Sequence, residues 1–131
     1  GGQFNHDSQQ LDQDRVDIYD PDLDSWSEGP PLPVPHSHSE HATVVHEDRI
    51  WMIGGHSTPV GGKKGFCPNI VTLAAGADWQ LTGLLPKPIS SPAAGIIDKK
   101  LYVAGGWDGR MDESRNWLSS PEVWCTDVAG V

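Results

Sequence analysis

The chain has 131 residues, 37% hydrophobic and 21% charged, with 15 glycines and 11 prolines; this composition favours short strands and frequent turns over helices. Nine basic against eighteen acidic residues give a formal charge of −9, which disfavours nucleic-acid phosphates and anionic membranes as partners. No apolar run approaches the roughly 18 residues of a membrane span. Cys67 and Cys125 are too few for a disulfide framework and are read as free thiols. With no Asn-x-Ser/Thr sequon present, the chain leans towards a reducing compartment. It opens on glycine rather than methionine and is expected to be a piece of a longer protein, so no signal peptide can be read.

In chain order, residues 3–14 are polar and aperiodic and predict a loop. Arg15 to Tyr19 alternates as a half-buried strand does. Asp20-Pro21-Asp22 predicts a turn, because Asp bonds its own downstream backbone and Pro presets the next φ. Ser25 to Ser27 returns as a second short strand, and the proline-rich run 29–35 lacks too many donors to lie inside a sheet. A full cycle follows. Ala42 to Val45 is a strand, Glu47-Asp48 a tight turn, and Arg49 to Ile53 a strand that stops on Gly54-Gly55. Residues 56–68 predict a long loop, Asn69 to Leu73 a third strand, Ala74 to Ala77 a turn, and Asp78-Trp79-Gln80 a fourth strand. Leu84 to Ser91 is the next connector. Ala93 to Ile97, the Asp98-Lys99 turn and Leu101 to Ala104 restart the cycle, ending on Gly105-Gly106. Residues 107–120 are a second long loop, and Val123 to Thr126 is the last predicted strand.

The order repeats. Gly54-Gly55 and Gly105-Gly106 lie 51 residues apart, and Gly1-Gly2 precedes the first of them by 53. At an offset of 53, Tyr19 falls on Thr72, Trp26 on Trp79, Pro33 on Pro86 and Pro35 on Pro88. Four short antiparallel strands per repeat make one propeller blade. The paired glycines suit a strand end that turns with positive φ beside another backbone. Trp26 and Trp79 are expected to fill the gap between adjacent blades. The pattern of Arg49-Ile-Trp-Met-Ile-Gly-Gly55 and Lys100-Leu-Tyr-Val-Ala-Gly-Gly106, with Tyr19-Asp20-Pro21, Trp26 and a following Pro-x-Pro, resembles the kelch repeat over essentially the whole chain. It departs where Thr72-Leu73-Ala74 replaces Tyr-Asp-Pro, and where the basic residue frequent after Pro-x-Pro is His36 in one copy and Ile89 in the other.

The resemblance implies an all-β fold of antiparallel four-stranded blades of a kelch-type β-propeller, here an incomplete ring. Residues 1–40 would be the end of a preceding blade (strands 3 and 4) with its connector. Residues 41–91 would be one complete blade with its connector, and 92–131 a following blade up to its third strand.

A meander of four strands places the long 2–3 and 4–1 connections on one face and the short turns on the other. Variable loops on a rigid scaffold are where binding concentrates. That face is predicted to gather His36, His38, His41, His56, Lys63, Lys64, Trp107, Arg110 and Arg115, a positive and aromatic concentration suited to an acidic protein surface. His36-x-His38 is not read as a metal site, because no cysteine stands at ligand spacing and the second connector offers Ile89-Ser-Ser-Pro92 instead. Asp20-x-Asp22-x-Asp24 opens like a calcium loop, yet Ser25 and Pro31 occupy the positions where Gly and Glu are needed. Gly61-Gly62-Lys63-Lys64-Gly65 lacks the Gly-Lys-Ser/Thr ending of a phosphate loop.

No catalytic constellation and no cofactor are predicted. By resemblance, the chain is expected to be a non-catalytic interaction module of cytoplasmic or cytoskeletal setting. Its expected partner is the substrate of a ubiquitin-ligase adaptor, or actin in the manner of scruin, alongside the remaining blades of the ring. The alternative from the same resemblance is a part of a carbohydrate-active propeller enzyme, related to galactose oxidase or to sialic-acid epimerases.

Overall fold

A computed structural model describes residues 1–3, 11–59 and 61–131. Among these residues, regular structure consists of β-strands and two single 3₁₀ turns, Glu40–Ala42 and Val128–Gly130. The strands are β1 (Asp17–Asp20), β2 (Ser25–Glu28), β3 (His36–Ser37), β4 (Thr43–His46), β5 (Arg49–Ile53), β6 (His56–Ser57) and β7 (Gly65–Phe66). They continue with β8 (Asn69–Ala74), β9 (Gln80–Leu84), β10 (Ala93–Ile97), β11 (Lys100–Ala104), β12 (Trp107–Met111), β13 (Trp117–Ser119) and β14 (Val123–Asp127).

Three sheets follow the repeat. The hairpin β1–β2 comes first, then the antiparallel meander β4-β5-β8-β9, then β10-β11-β14. The two-residue turns at 47–48 and 98–99 hold all four of their residues at positive φ, 47° to 61°, which matches the right-handed twist of the strands they join. The first turn is built as its residues predict: the Asp20 carboxylate accepts the backbone N–H groups of Asp22 and Leu23, and the Tyr19 hydroxyl donates to Asp24.

The core lies between the second and third sheets. Ala42, Trp51, Ile53, Ile70, Leu85, Ile89, Leu101 and Val103 are buried there, with Trp124, Val128 and Val131 packed against them. Alternation explains the choice: in Arg49–Ile53, Trp51 and Ile53 point inward, and in Lys100–Ala104, Leu101 and Val103 do.

The double glycines sit where backbones meet. Gly54, Gly55, Gly105 and Gly106 have φ of 64°, 99°, 66° and 83°, and Gly2 has 113°. A Cβ on Gly55 would stand 2.3 Å from the Ser37 carbonyl oxygen, and one on Gly106 2.5 Å from that of Ser90. At Gly54-Gly55 and Gly105-Gly106 the second glycine therefore closes the blade against the connector running past it, whereas a Cβ on Gly2 would meet nothing within 4 Å.

Three sequence expectations are corrected. The fourth strand is not Asp78–Gln80 but Gln80–Leu84, so Asp78 and Trp79 lie between the turn and the strand. A bulge between Ile70 and Val71 shifts the register, and the Thr72–Thr82 hydroxyl bond, 2.7 Å, pins it. Among the described residues, Trp26 packs on Tyr19, ring centres 5.1 Å apart, and not between two blades, and it is 70% exposed. The long loops are not irregular. Residues 107–120 form the β12–β13 hairpin, and 56–68 contribute β6 and β7. Of the loop expected over 3–14, residues 4–10 lie outside the described residues, as does Val60; Gln3 bridges Asp12, and Gln13 bridges His36.

Candidate functional site

In a meander, the 2–3 and 4–1 connections leave from the same end of the sheet, and here they hydrogen-bond to each other. Ser37 of the first connector pairs with His56 after one double glycine, and Ser90 of the second pairs with Trp107 after the next. The returning strand then pairs at His56↔Phe66 and Trp107↔Ser119. Ser91 donates its N–H to the His38 carbonyl and so links the two connectors. The result is a floor of short paired strands, with the turns 47–48 and 98–99 at the opposite ends of the sheets.

The sequence-predicted residues separate on this floor. His36 is buried at 1% exposure, and its Nε2–H donates to the Gly54 carbonyl. Burial holds its pKa below the usual imidazole range. His38 Nδ1 lies 2.8 Å from Ser37 Oγ, and Ser37 donates in turn to Asp12 at 2.6 Å. The His38 ring stands 4.3 Å from that of His56, which stacks on Phe66 at 5.0 Å; Phe66 meets Trp117 at 5.5 Å. Burial first, then electrostatic interaction with His38 and Lys64, lowers the His56 pKa to about 4, so this imidazole is neutral at pH 7. His41 lies in the 3₁₀ turn, exposed, and Lys63 is also exposed. Neither joins the ring series.

The cations are largely engaged within the molecule. Lys64 Nζ lies 2.9 Å from the buried Asp12 carboxylate and forms an ion pair with it. Ser37 and Thr58 donate to the same carboxylate, and together these contacts keep it ionised below the usual range despite its burial. The Arg110 Nε–H is shared between both Asp108 carboxylate oxygens, at 2.9 and 3.0 Å. Lys87 reaches both Asp108 and Glu122. The Asp108 pKa is well below the carboxylate range, from Arg110 first and Lys87 second. Arg115 is exposed at φ 63° in the turn closing the β12–β13 hairpin. The positive field anticipated from composition is thus partly met by Asp12, Asp108 and Glu122.

The face instead offers apolar area. On the β12–β13 hairpin, Trp107 is 39% exposed, Met111 47%, Trp117 45% and Leu118 39%. Asp12, Phe66 and Trp117 were not singled out from the sequence. Phe66 and Trp117 stand on strands hidden in what reads as loop, and Asp12 stands in an aperiodic polar stretch. The pairings that carry them are long-range. Among the described residues, no group of three or more His, Cys, Asp or Glu side chains is placed to hold a metal ion. Cys67 is buried and Cys125 exposed, both as free thiols.

Comparison with known proteins converges on one family. A family model described as "Kelch motif" matches residues 88–127. The chain is 34% identical over 101 residues to "Kelch repeat and BTB domain-containing protein 12" of Homo sapiens, covering 70% of this chain and 16% of that protein. It is 29% identical over 99 residues to "Kelch-like protein 35" of Mus musculus, covering 75% and 15%. With "Beta-scruin" of Limulus polyphemus it shares 26% identity over 113 residues, covering 82% and 12%. The chain therefore spans about one sixth or less of the length of these relatives.

Proposed function

We propose that this chain, which belongs to the kelch-repeat family, is a non-catalytic protein-interaction module that binds its partner through the 2–3 and 4–1 loops. The observation that carries this reading is the repeated pairing of connector with loop, Ser37 with His56 and Ser90 with Trp107. That pairing turns variable segments into a fixed surface, and fixed aromatic groups bind without a large ordering cost. The β12–β13 hairpin, with Trp107, Met111, Trp117 and Leu118 partly exposed, supplies the anchors, and Arg110 and Arg115 the charged rim.

The division into 1–40, 41–91 and 92–131 as consecutive blade segments is part of the same proposal; sheets of two, four and three strands support it. The remaining blades of the ring would lie beside β1–β2 and β14. The partner classes that family membership suggests are the substrate of a ubiquitin-ligase adaptor or an actin-based cytoskeletal protein, in a cytoplasmic or cytoskeletal setting. No helix of the described residues is long and apolar enough to cross a membrane.

A quantitative binding assay with a candidate partner separates the two faces. Trp117→Ala is expected to weaken binding by about 2 kcal/mol, roughly thirtyfold, as a central aromatic anchor does. Arg110→Ala and Arg115→Ala should weaken it less, and Asp48→Asn in the opposite turn should leave it unchanged. Binding lost with Asp48→Asn but kept with Trp117→Ala would place the partner on the other face. Lys64→Ala is not a clean probe, because it uncovers the buried Asp12 and destabilises the fold.

A further inference from the structure

Given the reading of the loop face as the binding surface, we propose that this face carries its own proton switch. His56 supports the Phe66–Trp117 contact only while its imidazole is neutral, and acid opens that contact.

The seat of His56 suits a neutral ring alone. The ring lies between His38, at 4.3 Å, and Phe66, at 5.0 Å, and Phe66 stands on the strand paired with its own. Both ring nitrogens are closed to solvent, and neither has a hydrogen-bond partner among the described residues. A neutral imidazole has one donor and one acceptor; protonation replaces the acceptor by a second N–H and adds a full charge. Burying that charge without an acceptor is far costlier than burying the neutral ring. The charged and titratable groups facing it are His38 on the first connector, Lys64 between β6 and β7, Asp12, and Glu40 in the 3₁₀ turn. Neither carboxylate compensates. Asp12 is already engaged by Ser37, Thr58 and Lys64, and Glu40 is exposed, where solvent screens it. An imidazolium at this position regains hydration by leaving the stack.

Phe66 decides what moves with it. Its ring meets that of Trp117 at 5.5 Å, and a Cβ built on Gly109 would lie 3.6 Å from it. One side chain thus ties the β6–β7 pair to the β12–β13 hairpin. The β6–β7 ladder is only two residue pairs long, His56↔Phe66 and Ser57↔Gly65, and neither strand belongs to the hydrophobic core. Such a ladder opens locally while the core stays folded.

Linkage sets the direction and the size. The released ring titrates near 6.5 and the stacked ring near 4, so the stack is closed above about pH 7 and opens as pH falls through that interval. Between pH 7 and pH 5 the ratio of open to closed rises roughly twentyfold.

The test needs no partner. In the full chain, NMR follows the His56 ring C–H and the Trp117 indole N–H from about pH 7.5 to about pH 4.5, with the buried Trp51 as reference. Trp117 is expected to change with the same midpoint as His56, below 6.5, while Trp51 stays constant. His56→Phe keeps an aromatic ring in the stack but takes up no proton, and its Trp117 signal should not respond to pH. His56 titrating near 6.5 beside an unchanged Trp117 overturns the switch in the parent chain alone, whatever the variant's folding. So does a Trp117 response that survives His56→Phe, or Trp51 and Trp117 changing together as in global unfolding. Partner affinity is a separate measurement. Equal affinity at pH 7 and pH 5, in a chain whose stack opens, would leave the switch standing and overturn the reading of this face as the binding surface.

Discussion

The two seams where a connector crosses a double glycine share one backbone and differ in chemistry. At the first, Gly2 N–H donates to the His36 carbonyl at 2.7 Å; at the second, Gly55 N–H donates to the Ile89 carbonyl at 2.8 Å. His36 and Ile89, 53 positions apart, are each buried to 1% exposure. Around His36 the interior is polar, with Asp12, Ser37, Thr58 and Lys64 in one knot. Around Ile89 it is apolar, with Leu85, Leu101 and Val103, and the ion pairs of Lys87, Asp108 and Arg110 lie further out. The repeat constrains the backbone. It leaves the interior of each seam free to be polar or apolar, provided that polar groups find partners.

If the backbone is the shared element, the largest effects should be the same at both seams. Gly55→Ala and Gly106→Ala each place a Cβ within 2.5 Å of a connector carbonyl, at φ of 99° and 83°. Each is expected to cost about 3 kcal/mol or more, seen as loss of a cooperative thermal transition or a large fall in its midpoint. Gly105→Ala meets nothing closer than 4.0 Å and carries only the penalty of φ 66°, about 1 kcal/mol. Equal, mild effects at Gly105 and Gly106 would show that close approach is not what closes the seam.

The next effect should appear at one seam only. Asp12→Ala leaves Ser37 and Thr58 without their acceptor and Lys64, at 24% side-chain exposure, without its counter-ion. A loss of about 2–3 kcal/mol in urea unfolding is expected. Asp108→Ala should cost less, because Arg110 and Lys87, at 52% and 36% side-chain exposure, can turn to solvent.

Most of the backbone was legible in the sequence because its signals are local. Gly54-Gly55, Gly105-Gly106, the Glu47-Asp48 and Asp98-Lys99 turns and the alternation in Arg49–Ile53 each act within a few residues. The surface chemistry was less legible. That Lys64 serves Asp12, that Arg110 serves Asp108 and that His56 stacks between His38 and Phe66 all depend on contacts between segments distant in the chain or on side-chain placement. Composition counts the cations on a face but not the carboxylates folded beneath them. The misplaced fourth strand has a similar cause: Trp79 marks the repeat but not the register, which the bulge at Ile70 and Val71 sets.

The smallest effect is the most diagnostic, because it converts one seam into the other. His36→Ile installs the residue found at position 89. It removes the donor to the Gly54 carbonyl, at about 1 kcal/mol near pH 8. It should also change the response to acid. Buried His36 has a folded pKa below the unfolded value near 6.5, so the unfolded chain takes up the proton first as pH falls. Stability contributed by the neutral imidazole is therefore fully present above about pH 7 and is lost as pH drops through the unfolded pKa towards the folded one. His56, lowered to about 4, adds a second loss of the same sign over the same window. Asp12, whose pKa is also lowered, contributes its loss further down, as pH approaches and passes the usual carboxylate range. His36→Ile should thus flatten the decline between pH 7 and 5 without abolishing it, since His56 remains. The variant should lie below the parent chain at pH 8 and approach it at pH 5. Urea midpoints that fall in parallel across that range would show that His36 is not what makes the first seam sensitive to acid.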